Sequence, residues 1–545
     1  MRIDRFRFVF LLLVSGGMLL PSGATAQWEH RYTKLDDFGH HTYLEQHELP
    51  ILAHGPTDPA PAPDGKHLAF AAQGWLWLLD IDSGIATQLT NSADIDARPR
   101  WSADGTKLAF VRDTGSDTAV VVLDVASGKE ATINTPTIEL DPEFSEDGSS
   151  VFYTSGVGGS LSLWRHDLAA GTDTKLTDLR QVERNARRLA DGEGIVYLHG
   201  SGAHRTLRAR YFLKGSDSII HSETLTYHLT ADTHPSEALI VYSAPIDNDY
   251  HLWTMDIRDP RVTHRLTDGN PFALTPAFSA DGNHVYFVEA NKARQFELKR
   301  IATYGGKPEV VEIVEWQTAG ATGSIALTIH DADDSPVTAR VSLTRRDGHP
   351  VSYDRDATYF DPQTGRHYFY VQGDTTMTLP VGTYTALIAR GPMYPVIEKK
   401  IRIRRDRETE LAAKLTPLWD AKTAGYVSAD HHIHLNGDGH HRANHLDALR
   451  LMAGEAIDQL STMSWNRWQR RIDAPLVARE TTRDGFSVQQ AQEVRSHFHG
   501  HIGLPGTKKA YAPCRVVGQR GIAKLNLPGA GEFKVVFVEL IAVAE

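Results

Sequence analysis

An Asp-Gly pair followed by an apolar run returns along this chain with a period in the forties, and internal repetition constrains architecture more than any single motif. Asp64-Gly65 leads into Leu68-Ala69-Phe70, Asp104-Gly105 into Leu108-Ala109-Phe110, Asp147-Gly148 into Val151-Phe152-Tyr153, and Asp281-Gly282 into Val285-Tyr286-Phe287. Weaker copies are Asp191-Gly192 before Ile195-Val196-Tyr197, and Ser236-Glu237 before Leu239-Ile240-Val241-Tyr242. Aligning Gly65, Gly105, Gly148, Gly192, Glu237 and Gly282 gives steps of 40, 43, 44, 45 and 45, hence six units. Glycine accepts the positive φ that a hairpin turn needs, and the β-branched and aromatic run after it reads as an inner strand. A second strand follows, as in Gly74–Asp80 or Ala119–Asp124, then another glycine turn, then a closing phrase such as Gln88-Leu89-Thr90 or Arg265-Leu266-Thr267. Four strands per unit, repeated six times, close radially into a propeller and leave few exposed sheet edges.

The phrases Trp101-Ser102-Ala103-Asp104-Gly105 and Phe278-Ser279-Ala280-Asp281-Gly282 resemble TolB-like propeller repeats, and the likeness covers about residues 51–315. It implies architecture and is almost silent on activity, because propellers host binding modules and enzymes alike. Propellers also precede serine peptidases, but the sequence has no Gly-x-Ser-x-Gly elbow. It also has no Gly-x-x-x-x-Gly-Lys-Ser/Thr phosphate loop.

The 545 residues suggest about three domains. A formal net charge of −11 with no long basic run argues against nucleic-acid binding, which needs cations to displace phosphate counterions. Cys514 is the sole cysteine, so intrachain disulfides and Cys-rich zinc fingers are excluded. Arg2, Arg5 and Arg7 precede the apolar run Phe8–Leu20, and Ala24-Thr25-Ala26 follows; this order reads as a secretory signal over residues 1–26, cleaved before Gln27. The expected location is periplasmic or extracellular, with no membrane span after cleavage.

From Thr318 to about Leu415, strictly alternating runs such as Ser324–Ile329, Ala339–Leu343 and Lys400–Ile403 suggest a small β-sandwich. Asp331–Val341, the Asp347-Gly348 turn and Leu379–Tyr384 resemble carboxypeptidase-regulatory-like modules, which implies a positioning role without chemistry.

Nine of the 27 histidines lie within residues 431–501, and imidazole clustering is a signal for divalent transition metals. His440, His441 and His445, among Gly437, Asp438 and Gly439, read as a solvated loop. His432 and His434 end a strand-like run, Tyr426–Leu435, where alternate side chains share a face about 6–7 Å apart. Two imidazoles at that spacing can share one metal. Leu446, Leu449, Ala453, Ile457 and Leu460 then recur at helical spacing, so the histidines stand at the C-terminal end of a βα unit's strand. Farther on, Glu493 precedes the segment Ser496-His497-Phe498-His499-Gly500-His501.

The phrases Ala429-Asp430-His431-His432-Ile433-His434 and Gln492–Leu504 resemble the PHP (polymerase and histidinol phosphatase) superfamily, specifically CehA/McbA-type metallohydrolases. A TolB-like propeller followed by a small β-module fits the same group. The resemblance implies a distorted β/α barrel with a metal centre of one or more divalent ions, zinc first among them. His432, His434, Glu493 and His501 fall on its ligand positions, His497 or His499 would shuttle a proton, and Asp458 stands at most behind the ligands. The implied reaction is hydrolysis of an ester, carbamate or amide-like small molecule by metal-activated water.

Only 44 residues follow His501, without histidine or aspartate, and the likeness fades after Gly506. The expected order is therefore a mostly-β chain: a six-bladed TolB-like propeller (27–315), a carboxypeptidase-regulatory-like sandwich (316–415), an incomplete PHP-type β/α barrel (416–506) and a divergent tail (507–545). Truncation would impair hydrolysis. The alternative expectation is an extracytoplasmic scaffold binding a protein partner at its propeller face, without catalysis.

Overall fold

The computed structural model describes residues 49–510 except 180, 202–203, 225, 362–363, 438–439, 468–469 and 497–499. The signal-like segment and most of the expected tail, with Cys514, lie outside these residues. Among the described residues, no helix is long and apolar enough to cross a membrane.

Six sheets follow one another from Thr57 to Val310, each a meander of four antiparallel strands. The apolar run after each Asp-Gly turn is the second strand of its sheet. The innermost strand precedes the turn, as in Thr57–Pro61, Ile95–Trp101 and Glu139–Phe144. Each innermost strand contacts the next, and Leu274–Phe278 of the last sheet returns to Thr57–Pro61 of the first. A further strand, Glu315–Gln317, runs parallel to Ile85–Gln88 on the outside of the first sheet. Its Trp316 packs edge-on against Phe70 and Trp77 and ties the end of this region to its beginning.

The turns explain the repeated Ser-x-Asp-Gly phrase. Ser102, Ser145 and Ser279 donate to Asp104, Asp147 and Asp281 at 2.6–2.7 Å, and each aspartate also accepts the backbone N–H two residues on. These hydrogen bonds, the serine hydroxyls first, hold all three carboxyls down to about 2. A second periodic feature lies on the innermost strands. Asp58, Arg98, Asp141, Asn185 and Thr275 take positive φ at breaks in the strand register. They follow the same steps as the turns. Such bulges re-aim a side chain, and four of these five line one central cavity.

Residues 322–415 form a three-stranded and a five-stranded sheet. Ile325, Leu327 and Ile329 of the first share one core with Val341, Phe369 and Ile388 of the second, as the alternating runs predict.

In the third region Ala429–Ile433, Gln459–Arg467 and Phe486–Ser496 are parallel neighbours, and short antiparallel strands flank them. The helix His445–Glu455 crosses from the first strand to the second. It starts at an Asn444 capping box and stops where Ala456 turns left-handed. The strand-then-helix reading is right but its apolar face is displaced. Leu446 is 58% exposed, Leu460 belongs to the next strand, and the helix buries Ala448, Leu449 and Met452 against Leu460 and Val488. Its other side meets the middle region, where Glu455 accepts from Arg340 at 2.8 Å and Gly454 lies under the Tyr370 ring.

The solvated-loop reading of His440, His441 and His445 is overturned. His440 packs its ring 4.8 Å from that of His228 and lines the central cavity, while the His441 ring lies 4.7 Å from Phe296. His445 is buried at the helix start between Thr481 and Gln490, at 3.0 and 3.1 Å. Glycine-rich neighbours suggest an exposed loop, but here a partner surface from another part of the chain covers it. Arg442 continues the contact, with its guanidinium over Phe272 and an ion pair to Asp249.

Burial pushes His440 down to about 4 and His441 to about 3. The unfolded chain therefore binds protons that the folded chain rejects, and stability present above pH ~6.5 is lost as pH falls toward those values. Thermal unfolding followed from pH 7 to 4.5 should show a shallower decline for the His440→Gln/His441→Gln variant than for the parent chain. Equal slopes would show that the two rings do not contribute.

Candidate metal centre

Glu493 stands near the end of the Phe486–Ser496 strand, paired with Gly503 of the antiparallel Gly500–Leu504 strand. Two residues earlier on that partner strand is His501, on the same face and diagonal to Glu493. His432 lies on Ala429–Ile433 and His434 just after it, so their rings reach Glu493 from across the sheet. The Glu493 side chain is fully buried, with one oxygen 3.0 Å from His434 Nε2 and 3.8 Å from His432 Nε2. Its other oxygen is 2.8 Å from His501 Nδ1. The two histidine Nε2 atoms are 3.3 Å apart.

These distances can be tested against a metal's demands. Ligand atoms ~2.1 Å from a tetrahedral zinc lie about 3.4 Å from one another. The trio His432, His434 and Glu493 offers one ligand atom each within 4.8 Å, and its closest approaches bracket that value. The donor set, two imidazoles and one carboxylate, also suits zinc chemically. The residues therefore fit a divalent ion. His432 and His501 are 60% and 53% exposed, so two of the four side chains reach solvent.

Residues that the sequence reading did not single out hold the histidines in place. The Trp465 ring stands 5.5 Å from that of His434, and its Nε1 donates to the Asn436 carbonyl at 3.1 Å. The Asn436 amide donates to Asp473 at 2.9 Å, and Asn248 from the fifth sheet donates to the same carboxylate at 2.7 Å. Burial pushes the Asp473 carboxyl up, against these hydrogen bonds. No sequence motif marks this chain of contacts, because its members lie up to 225 residues apart. Asp458 stays away from the cluster, bound to Ser428 and Lys422. Its burial is outweighed by those partners, which hold its carboxyl low. His497 and His499 lie outside the described residues.

The TolB β-propeller domain family matches residues 57–268. That stretch is a TolB-like β-propeller domain. Among solved structures, TolB from Acinetobacter baumannii is 19% identical, with 50% of this chain and 68% of that one covered and a TM-score of 0.38. Oligogalacturonate lyase from Vibrio parahaemolyticus is 11% identical, over 47% of this chain and 77% of its own, with a TM-score of 0.33. Hydrazine synthase of Kuenenia stuttgartiensis is 15% identical, over 48% and 80%, with a TM-score of 0.34. Likenesses this distant carry nothing about chemistry. No curated protein matches the chain. The TolB-like match ends 161 residues before Ala429, so the histidine–glutamate cluster lies beyond the matched stretch, in a region that contacts it through Asp473 and Arg442.

Gly437 sits at φ +115°, and a Cβ there would meet the Trp465 ring at 2.3 Å. Gly437→Ala should displace the tryptophan that backs His434 and cost about 1–3 kcal/mol, read by chemical denaturation. A cost below ~0.5 kcal/mol would show that this packing does not hold the site.

Proposed function

We propose that the chain is an extracytoplasmic, metal-dependent hydrolase of the CehA/McbA type, acting on a small ester, carbamate or amide-like substrate. The observation that carries this reading is the convergence of His432, His434 and His501 on the fully buried Glu493, from strands that the sequence resemblance alone had linked. His432, His434 and Glu493 would hold the ion, with His501 on the second carboxylate oxygen as a further ligand or an orienting partner. A divalent ion at that position supplies Lewis-acid activation of water and of the scissile group. Glu493, closed off from solvent, fixes the two imidazoles by charge and keeps their Nε2 atoms turned inward. The exposed faces of His432 and His501 border the substrate's entry. His497 or His499, next to His501 in sequence, is assigned the proton transfer to the leaving group. The three parallel strands fit the opening portion of a PHP-type barrel, and the signal-like N-terminus favours a periplasmic or extracellular setting.

The TolB-like domain supports a second reading, a scaffold that binds a partner at its propeller face without catalysis. Metal analysis and turnover separate the two. At least one equivalent of zinc should bind per chain, and His432→Ala/His434→Ala should reduce it at least tenfold; unchanged metal content would refute the ligand assignment. Hydrolysis of aryl esters and carbamates should be abolished by chelation, restored by zinc, and lowered at least 100-fold in Glu493→Gln. Absence of turnover with zinc bound would leave the scaffold reading standing.

A further inference from the structure

The cavity at the centre of the six sheets has a volume of about 100 Å³ and is bordered by the innermost strands and by His440 of the inserted loop. Its electrostatics are unlike those of an ordinary water-filled channel. Arg98 and Arg184 share Asp141 at 2.7 and 2.9 Å, and Arg100 takes both Glu143 and Asp232 at 2.7 and 2.9 Å. Arg187 has no such partner. Its nearest carboxylates are the two already held by Arg100, each 3.8 Å away. Its Nη1 donates to the carbonyl of Ala186, and its buried Nε has no hydrogen-bond acceptor among the described residues. Burial and the neighbouring Arg100 hold Arg187 down to about 10. A buried cation whose two carboxylate neighbours are each hydrogen-bonded to another arginine is incompletely compensated, and a guanidinium presents a fork that matches a planar or tetrahedral oxyanion.

Three other members of the lining point the same way. Asn185, Thr230 and Thr275 each carry a buried side-chain oxygen with no hydrogen-bond partner among the described residues. Buried polar atoms in native proteins are nearly always satisfied, so several around one cavity mark a place where something polar binds. The two hydroxyls can donate, and the Asn185 amide can be turned to present its NH₂. Asp58 also lines the cavity, but burial pushes its carboxyl up toward the neutral form, against the pull of Arg98.

We propose that this central cavity is a binding site for a compact oxyanion, either inorganic phosphate or a small organic carboxylate. Arg187 is its principal cation, and Thr230, Thr275 and Asn185 are its neutral donors. The site is independent of the metal centre, and its loop-borne lid, His440, makes the docked C-terminal region part of its wall.

The test uses the full chain after chelator treatment, so that no metal competes for the anion. Phosphate and malonate are each titrated against sodium chloride at matched ionic strength, with thermal unfolding and calorimetry as readouts. A ligand at 100 times its Kd stabilises the fold measurably, and a saturable rise in Tm of about 3 °C or more is expected for a domain of this size. The anion that saturates at lower concentration identifies the class. Arg187→Met should abolish the rise, and Arg187→Lys should weaken binding at least tenfold. If Arg187→Met does not fold, Thr275→Val should weaken binding several-fold. The His432→Ala/His434→Ala chain should respond like the parent, which separates this site from the metal ligands. An equal response to chloride, an undiminished response in the Arg187 and Thr275 variants, or a loss in the histidine variant would overturn the proposal. So would the absence of any saturable binding, which would leave ordered water alone in the cavity.

Discussion

Two short stretches, Asn436–Gly437 and His440–Arg442, tie the C-terminal sheet to the fifth and sixth sheets. Asn436 links the end of the His-x-His strand to Asp473, and through Asp473 to Asn248 of the fifth sheet. His440 and His441 are pressed against His228 and Phe296. The contact is made by ring packing at one end and by hydrogen bonds to a carboxylate at the other. Burying these polar groups is tolerable only because each is paired or kept neutral. These residues therefore back His434 through Asn436 and Trp465, line the central cavity through His440 and contact the propeller-type domain.

The histidine–glutamate cluster follows the same economy of charge. A carboxylate as deeply buried as Glu493 is stable only with positive or hydrogen-bonding groups around it. Three imidazoles meet that need in the protein alone, and a divalent ion would meet it better, because one charge would then be shared among ligands at fixed distances. Trp465 and Gly437 add shape: the ring backs His434, and the glycine leaves room for the ring. The arginine-lined cavity shows the opposite balance, since the carboxylates nearest Arg187 are already spoken for by Arg100. Two sites of contrasting charge are thus separated by these two stretches, which line one and back the other.

Much of this was legible beforehand, for identifiable reasons. Turns such as Ser102-Ala103-Asp104-Gly105 are local, so their spacing shows the number of sheets directly. His432 and His434 are close in sequence, and the strand's two-residue period puts them on one side. Glu493 and His501 lie within one hairpin, so a short phrase carried both. Other features left no local trace. The bulged innermost strands are short and mixed in polarity, as in Asp58-Pro59 or Arg98-Pro99-Arg100, and nothing in them alternates. His440 and His441 looked solvated because the rings that cover them lie 145–212 residues earlier in the chain.

The sequence by itself therefore determined the six-fold repeat, the alternating strands of the middle region, and which histidines and which glutamate belong to one cluster. The first two rest on periodicities and turns spanning a few residues, and the third on the family resemblance of two short phrases. Only the tertiary structure decided that His440 and His441 pack against the sheets, that Trp465 and Asp473 support the cluster, and that Arg187 shares its two nearest carboxylates with Arg100. Burial, ring packing and charge balance are properties of surfaces brought together from distant segments, and no window of sequence contains both sides of such a contact.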